Sequence, residues 1–259
     1  MVAQSVKKYA FEILSTDGVR IGGEYYDTHC GPVGVFVHGF RSEMAGQKST
    51  ALARDAQWRR RSWLRFDLRG HGRSEGEFEA FRVSAALDDL LAVLDTVAAR
   101  PVILVGSSLG GWLAALAATM RPEQIAGMLL IAPAFNFVQM IYGALSDAEL
   151  QAWRKRGLRE FEDRYGGTPF SLQYDVLADA VAFDVFESPR TIQCAVRIVH
   201  GADDDVVPYR VSERFVEEAG VRDIFLEVVP GAGHRLNKQI PRMQQYVNEL
   251  WDRTVARCR

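Results

Sequence analysis

The sequence predicts an α/β protein, a mostly parallel central sheet of about eight strands with helices on both faces. Three observations carry this. Short runs rich in Val, Ile and Leu alternate with stretches of helical periodicity along the 259 residues. Those runs are apolar throughout, which suits strands buried on both faces. The glycine-bearing polar motifs each follow such a run, at the carboxyl edge of a parallel sheet, where ligand sites lie.

Taken in order, residues 8–14 alternate and are β-prone, Thr16-Asp17-Gly18 signals a turn, and 20–26 is a second strand. Together they predict an antiparallel hairpin. Val33-Gly34-Val35-Phe36-Val37 is a buried strand ending at His38-Gly39-Phe40. Residues 48–60 are helical, with Ala51, Leu52 and Ala56 at helical spacing. Trp63-Leu64-Arg65-Phe66-Asp67 is the next strand, followed by the turn Arg69-Gly70-His71-Gly72-Arg73-Ser74. In the helix predicted over 83–99, Ala86, Leu87, Leu90, Leu91 and Leu94 share one face, so Asp88 and Asp89 are expected in solvent. Pro101 stops that helix. Strands follow over 102–105, 125–131, 196–199 and 225–229, and helices over 208–218 and 240–257.

Residues 134–189 break the alternation. Phe135, Phe137, Trp153, Phe161, Tyr165, Phe170, Tyr174, Phe183 and Phe186 give this stretch too much apolar surface for a solvated linker. A cap, helical in parts and folded over the strand ends, is expected there, inserted in a single domain spanning 1–259.

Composition narrows the classes. Lys+Arg 31 against Asp+Glu 33 leaves a net charge of −2, so no global basic field gathers nucleic acid or an acidic membrane. Cys30, Cys194 and Cys258 are odd in number and scattered, which fits neither a disulfide framework nor a zinc site. A reducing, cytoplasmic compartment is expected. Met1 to Lys8 lacks the apolar core of a signal peptide, and no apolar run is long enough to cross a bilayer.

The chemistry centres on Gly106-Ser107-Ser108-Leu109-Gly110-Gly111. Alone, Gly-x-Ser-x-Gly is an ordinary strand-to-helix turn. Here an apolar strand precedes it and an Ala/Leu-rich helix follows, the context of a strained elbow that projects a serine hydroxyl. A serine hydroxyl is a poor nucleophile and needs a base, and the base needs an acid to orient it. After Ser108 the histidines are His200, at a strand end, and His234, in Gly231-Ala232-Gly233-His234. The glycine-rich loop can carry an imidazole to the serine, so His234 is the base and His200 has a local role. His38 and His71 precede the serine in turn motifs and are structural. The acid lies among Asp203, Asp204 and Asp205, and spacing alone does not choose. An oxyanion would be held by the amides of Leu109 and Phe40. No metal or organic cofactor is needed.

These motifs resemble the α/β-hydrolase superfamily. They are His38-Gly39-Phe40, Asp67-Leu68-Arg69-Gly70-His71-Gly72-Arg73-Ser74, the Ser108 elbow, and His200-Gly201-Ala202-Asp203-Asp204-Asp205-Val206-Val207-Pro208, in family order. The family pattern His-Gly-x-x-Asp-x-x-Val-Pro places the acid on Asp204, with Asp205 the runner-up. Gly39-Phe40-Arg41-Ser42-Glu43-Met44-Ala45-Gly46-Gln47-Lys48 and His234-Arg235-Leu236 are similar to the mitochondrial palmitoyl-protein thioesterase and acyl-glucuronide esterase branch and its bacterial relatives. Asp67-Leu68-Arg69 replaces a tyrosine-containing turn, and the cap matches little beyond Gln173-Tyr174.

The resemblance implies hydrolysis of an acyl ester or thioester of a small molecule, or of an acylated protein. An aminopeptidase-type amidase would need a site for a peptide terminus, and none is identifiable. A non-catalytic binding module of this fold often lacks a triad member, whereas all three are present. Dehalogenase chemistry needs a carboxylate where Ser108 stands.

Overall fold

The computed structural model describes residues 7–163, 167–187 and 192–257. Met1 to Val6, Tyr165, Pro189 and Cys258 of the sequence reading lie outside them. The strands are β1 (Lys7–Leu14), β2 (Arg20–Asp27), β3 (Val33–Val37), β4 (Ser62–Phe66), β5 (Val102–Ser107), β6 (Ile125–Ile131), β7 (Leu158–Phe161), β8 (Phe170–Gln173), β9 (Ala195–Gly201) and β10 (Ile224–Val229). Eight of them form one sheet in the order β1-β2-β4-β3-β5-β6-β9-β10. Pairing is antiparallel for β1 with β2 and β2 with β4, and parallel from β4 to β10. The α/β class and mostly parallel sheet are as the sequence predicts.

Strand side chains alternate between two helical layers, as a period of two requires. Ile103 and Val105 of β5 face α1 (Gln47–Trp58) and α8 (Ile240–Arg257) through Leu52, Ala56, Val247 and Leu250. Val102 and Leu104 face the layer of α2 (Val83–Asp95), α3 (Leu109–Met120) and α7 (Arg210–Glu218), with Leu90, Trp112 and Phe215. Among the described residues no helix is long and apolar enough to cross a membrane.

Two local expectations fail for physical reasons. The helix predicted to reach residue 99 stops at Asp95, because the Thr96 hydroxyl donates to the Val93 carbonyl and the chain tightens ahead of Pro101. Asp89, expected in solvent, is fully buried. Arg69 donates to both its carboxylate oxygens, Nε at 2.9 Å and Nη2 at 2.6 Å. Burial pushes the Asp89 carboxyl up, and this guanidinium opposes it. The pair braces the turn after β4 against α2.

Between β6 and β9 the chain builds α4 (Phe137–Gly143), α5 (Asp147–Arg156), the β7–β8 hairpin and α6 (Val176–Val181). Ser146 and Glu149 close a capping box at the start of α5. Trp153 is buried and donates to the Leu172 carbonyl at 2.9 Å, locking α5 to the hairpin. The segment is tied to the body at several points, among them the following. Trp112 Nε1 donates to the Phe183 carbonyl at 3.0 Å, and Asp179 accepts the amides of Val83 and Ser84, capping α2 from outside.

Candidate active site

Ser108 stands between β5 and α3 with φ 53° and ψ −117°, a strained conformation for a residue with a Cβ. Its amide donates to Ile131 at 2.8 Å and its carbonyl accepts from Ala134 at 3.0 Å and Gly111 at 2.9 Å. The turn is possible because its neighbours lack side chains. A Cβ on Gly106 would strike the Gly110 carbonyl, and one on Gly110 would strike the Val37 carbonyl. The β3 loop therefore packs directly against the start of α3.

Three loops at the carboxyl edge converge on the hydroxyl. His234, in the loop after β10, has Nε2 at 3.1 Å from Ser108 Oγ and Nδ1 at 2.7 Å from Asp204 Oδ2. Nδ1–H donates to the carboxylate, which leaves Nε2 to accept the serine proton. Asp204, after β9, is buried, while Asp203 and Asp205 are exposed. Its Oδ1 accepts the amides of Val206 and Val207 at 2.9 and 2.8 Å, and its Oδ2 also faces His200 Nε2 at 3.1 Å. Burial alone would raise this carboxyl, but the bonds from His200 and His234 hold it well below the usual carboxylate range. It is ionised wherever the imidazole can act as a base.

The two amides named for the oxyanion also lie here. The N–H groups of Leu109 and Phe40 take no acceptor among the described residues. Leu109 opens α3, where the first amides are unpaired and the dipole is positive. Gly39 abuts the serine, since a Cβ there would stand 3.1 Å from Ser108 Cβ, and Phe40 is the next amide. The Phe40 ring sits among Phe78, Phe81, Phe137 and Phe170, at centroid distances of 5.0, 5.2, 5.1 and 5.5 Å. Phe137 and Phe170 come from the inserted segment.

His38 and His71 brace that loop. His38 Nδ1–H donates to the Gly39 carbonyl at 2.8 Å, and Nε2 accepts the Leu68 amide at 3.0 Å. His71 Nδ1–H donates to the Arg69 carbonyl and Nε2 accepts the Arg41 amide at 3.2 Å. Burial, with His71 beside it, pushes His38 down to about 3, and burial lowers His71 too. In the unfolded chain a histidine titrates near 6.5. Below that pH the unfolded state takes up a proton that buried His38 refuses, so stability falls with acidification. Urea denaturation is expected to show a loss of about 2 kcal/mol from His38 between pH 7 and 5. Stability that stays flat over that window contradicts this assignment.

Lys48 and Arg41 escape sequence reasoning, whereas His200 holds its own strand end and turn as expected. His200, read as local, donates to Asp204 and the Val207 carbonyl through Nε2 and meets the Ser212 hydroxyl through Nδ1. Its spacing of four from Asp204 was a usable signal. Lys48, in the first turn of α1, donates to the Arg235 carbonyl at 2.9 Å and thereby ties the His234 loop to the segment that follows Phe40. Burial and the charge of Arg235 push its amine down to about 8. Arg41 bonds Asp163 and the Thr168 carbonyl and lies over the Phe170 ring at 4.8 Å. No sequence signal pairs it with the insertion.

A serine elbow, a histidine after the last strand and this strand order define one class. The chain belongs to the alpha/beta hydrolase family, whose model matches residues 35–248. Within that family it is similar to the mitochondrial palmitoyl-protein thioesterase ABHD10. Identity to the Mus musculus protein is 31% over 206 residues, covering 79% of this chain and 69% of the relative. The Bos taurus protein is 29% identical, with 79% and 67% covered. The solved structure of the mouse alpha/beta hydrolase domain-containing protein 10 superposes with a TM-score of 0.86 at 27% identity, covering 95% of this chain and 99% of that one. Est1E from Butyrivibrio proteoclasticus shares the fold, with a TM-score of 0.75 at 22% identity over 98% of each chain.

Proposed function

We propose that the chain is a serine hydrolase that cleaves esters or thioesters of apolar acyl groups through an acyl-enzyme. The observation that carries this is the unbroken hydrogen-bonded line from Ser108 through His234 to Asp204. Ser108 Oγ attacks the acyl carbon while His234 Nε2 takes its proton. The amides of Leu109 and Phe40 hold the oxyanion as it forms. The bond to the leaving oxygen or sulfur breaks, and His234 returns the proton to that atom. Water, deprotonated by His234, then releases the acid and restores Ser108. Asp204 fixes the imidazole tautomer and stabilises the imidazolium.

The inserted segment 134–189 serves as the cap over this site, and its rings around Phe40 favour an apolar acyl chain. The names of the mammalian relatives support thioester substrates. The test is a series of p-nitrophenyl esters and acyl thioesters of rising chain length. kcat/KM is expected to rise with the length of the chain, mainly through KM. A preference for acetyl over longer acyl groups overturns the assignment of the cap, and absence of turnover with every ester and thioester overturns the function.

A further inference from the structure

At the sheet edge opposite Ser108, where β3 and β4 begin, a cleft of about 430 Å³ opens between the 30–32 loop and the ends of α1 and α8. We propose that this cleft binds an organic phosphate, with its anion held by Arg59, Arg60 and Arg61 and its apolar body against Pro32, Val255 and Ala256. The volume falls in the range of small-molecule sites.

The polar lining is nearly all donor. Arg100 takes the carbonyls of Cys30, Gly31 and Pro32 at 2.5, 2.9 and 3.3 Å, so the wall they form has its acceptors occupied. The acid of the lining, Asp252, bonds Arg61 Nη2 at 3.1 Å and is otherwise mostly in solvent. The three arginines are consecutive and differ in their state. Arg59 bonds Asp55 at 2.9 Å and lies 5.2 Å over the Trp58 ring. Arg61 lies 4.9 Å over the Trp251 ring. Stacked guanidinium planes are pre-organised for phosphate oxygens. Arg60 follows α1 at φ 53°, a conformation that favours glycine after a helix, and its side chain makes no hydrogen bond or ion pair among the described residues. Burial pushes Arg61 down, Asp252 opposes the shift and Arg59 adds to it.

Calorimetric titration of the full chain with ADP, inorganic phosphate and adenosine at low ionic strength tests the site. Saturable binding of ADP is expected, with weaker binding of phosphate and none of adenosine. Arg60→Ala and Arg59→Ala should each weaken ADP binding by about tenfold, as loss of a charged contact would, and leave ester turnover unchanged. Ser108→Ala should bind ADP as the native chain does, which separates this site from the proposed catalytic one. No binding of ADP or phosphate at millimolar concentration overturns the inference. Equal binding of adenosine, affinity unchanged in both arginine variants, or binding lost in Ser108→Ala overturns it as well.

Discussion

Ser108→Ala is expected to lower kcat for p-nitrophenyl esters by roughly a millionfold, with the melting temperature unchanged. The size follows from what the hydroxyl does: without Oγ no acyl bond to the protein can form, and His234 has no proton to take. The fold is spared because the side chain supports so little of it. Oγ caps no helix amide, and its bond is to His234, whose side chain is partly open to water. The strained backbone is held by Ile131, Ala134 and the close packing of Gly106 and Gly110, none of which the substitution touches. The residual rate should come from the amides of Leu109 and Phe40 and from substrate binding. Fluorophosphonate labelling should vanish with turnover. Persistent turnover by the folded variant would show that another group attacks the substrate.

Asp204→Asn is expected to cost about 10⁴-fold in kcat, and Asp205→Asn no more than a few-fold. Oδ1 of Asp204 already accepts two amides, so an asparagine keeps its oxygen there and turns its NH₂ toward His234. A donor then faces Nδ1, the imidazole moves its hydrogen to Nε2, and Nε2 can no longer take the serine proton. His200 Nε2–H faces the same amide and keeps only the Val207 carbonyl as its acceptor. Because Asp204 stays ionised far into acid, its carboxylate does not set the acid limb of kcat/KM. A larger loss in Asp205→Asn than in Asp204→Asn would assign the acid to the other carboxylate.

The fold was legible because its signals are local. Continuous Val/Ile/Leu runs and the order of the motifs fix a parallel sheet and the edge at which its loops meet. The Ser108 elbow was legible for the same reason, as strand, glycine turn and helix are contiguous in the chain. What escaped depends on partners distant in sequence. Asp89 reads as solvated by helical periodicity because its partner, Arg69, belongs to a turn that periodicity does not see. The choice among Asp203, Asp204 and Asp205 rested on a family pattern, since no spacing shows that two amides and two imidazoles converge on the middle carboxylate. The β7–β8 hairpin joins two four-residue strands, Leu158-Arg159-Glu160-Phe161 and Phe170-Ser171-Leu172-Gln173, too short for a period of two to stand out. Lys48 closes the Gly39-to-Lys48 motif, yet its bond to the Arg235 carbonyl spans the site and has no sequence signature.

The central claim is a covalent acyl group on Ser108, and mass spectrometry of the acid-quenched reaction tests it most directly. The native chain mixed with a p-nitrophenyl ester should release p-nitrophenol in a burst stoichiometric with the protein. At the same time the protein should gain the mass of the acyl group, carried on the peptide that contains Ser108. Steady turnover with the acyl group found on another residue, or by a protein that remains unmodified at every quench time, would contradict it.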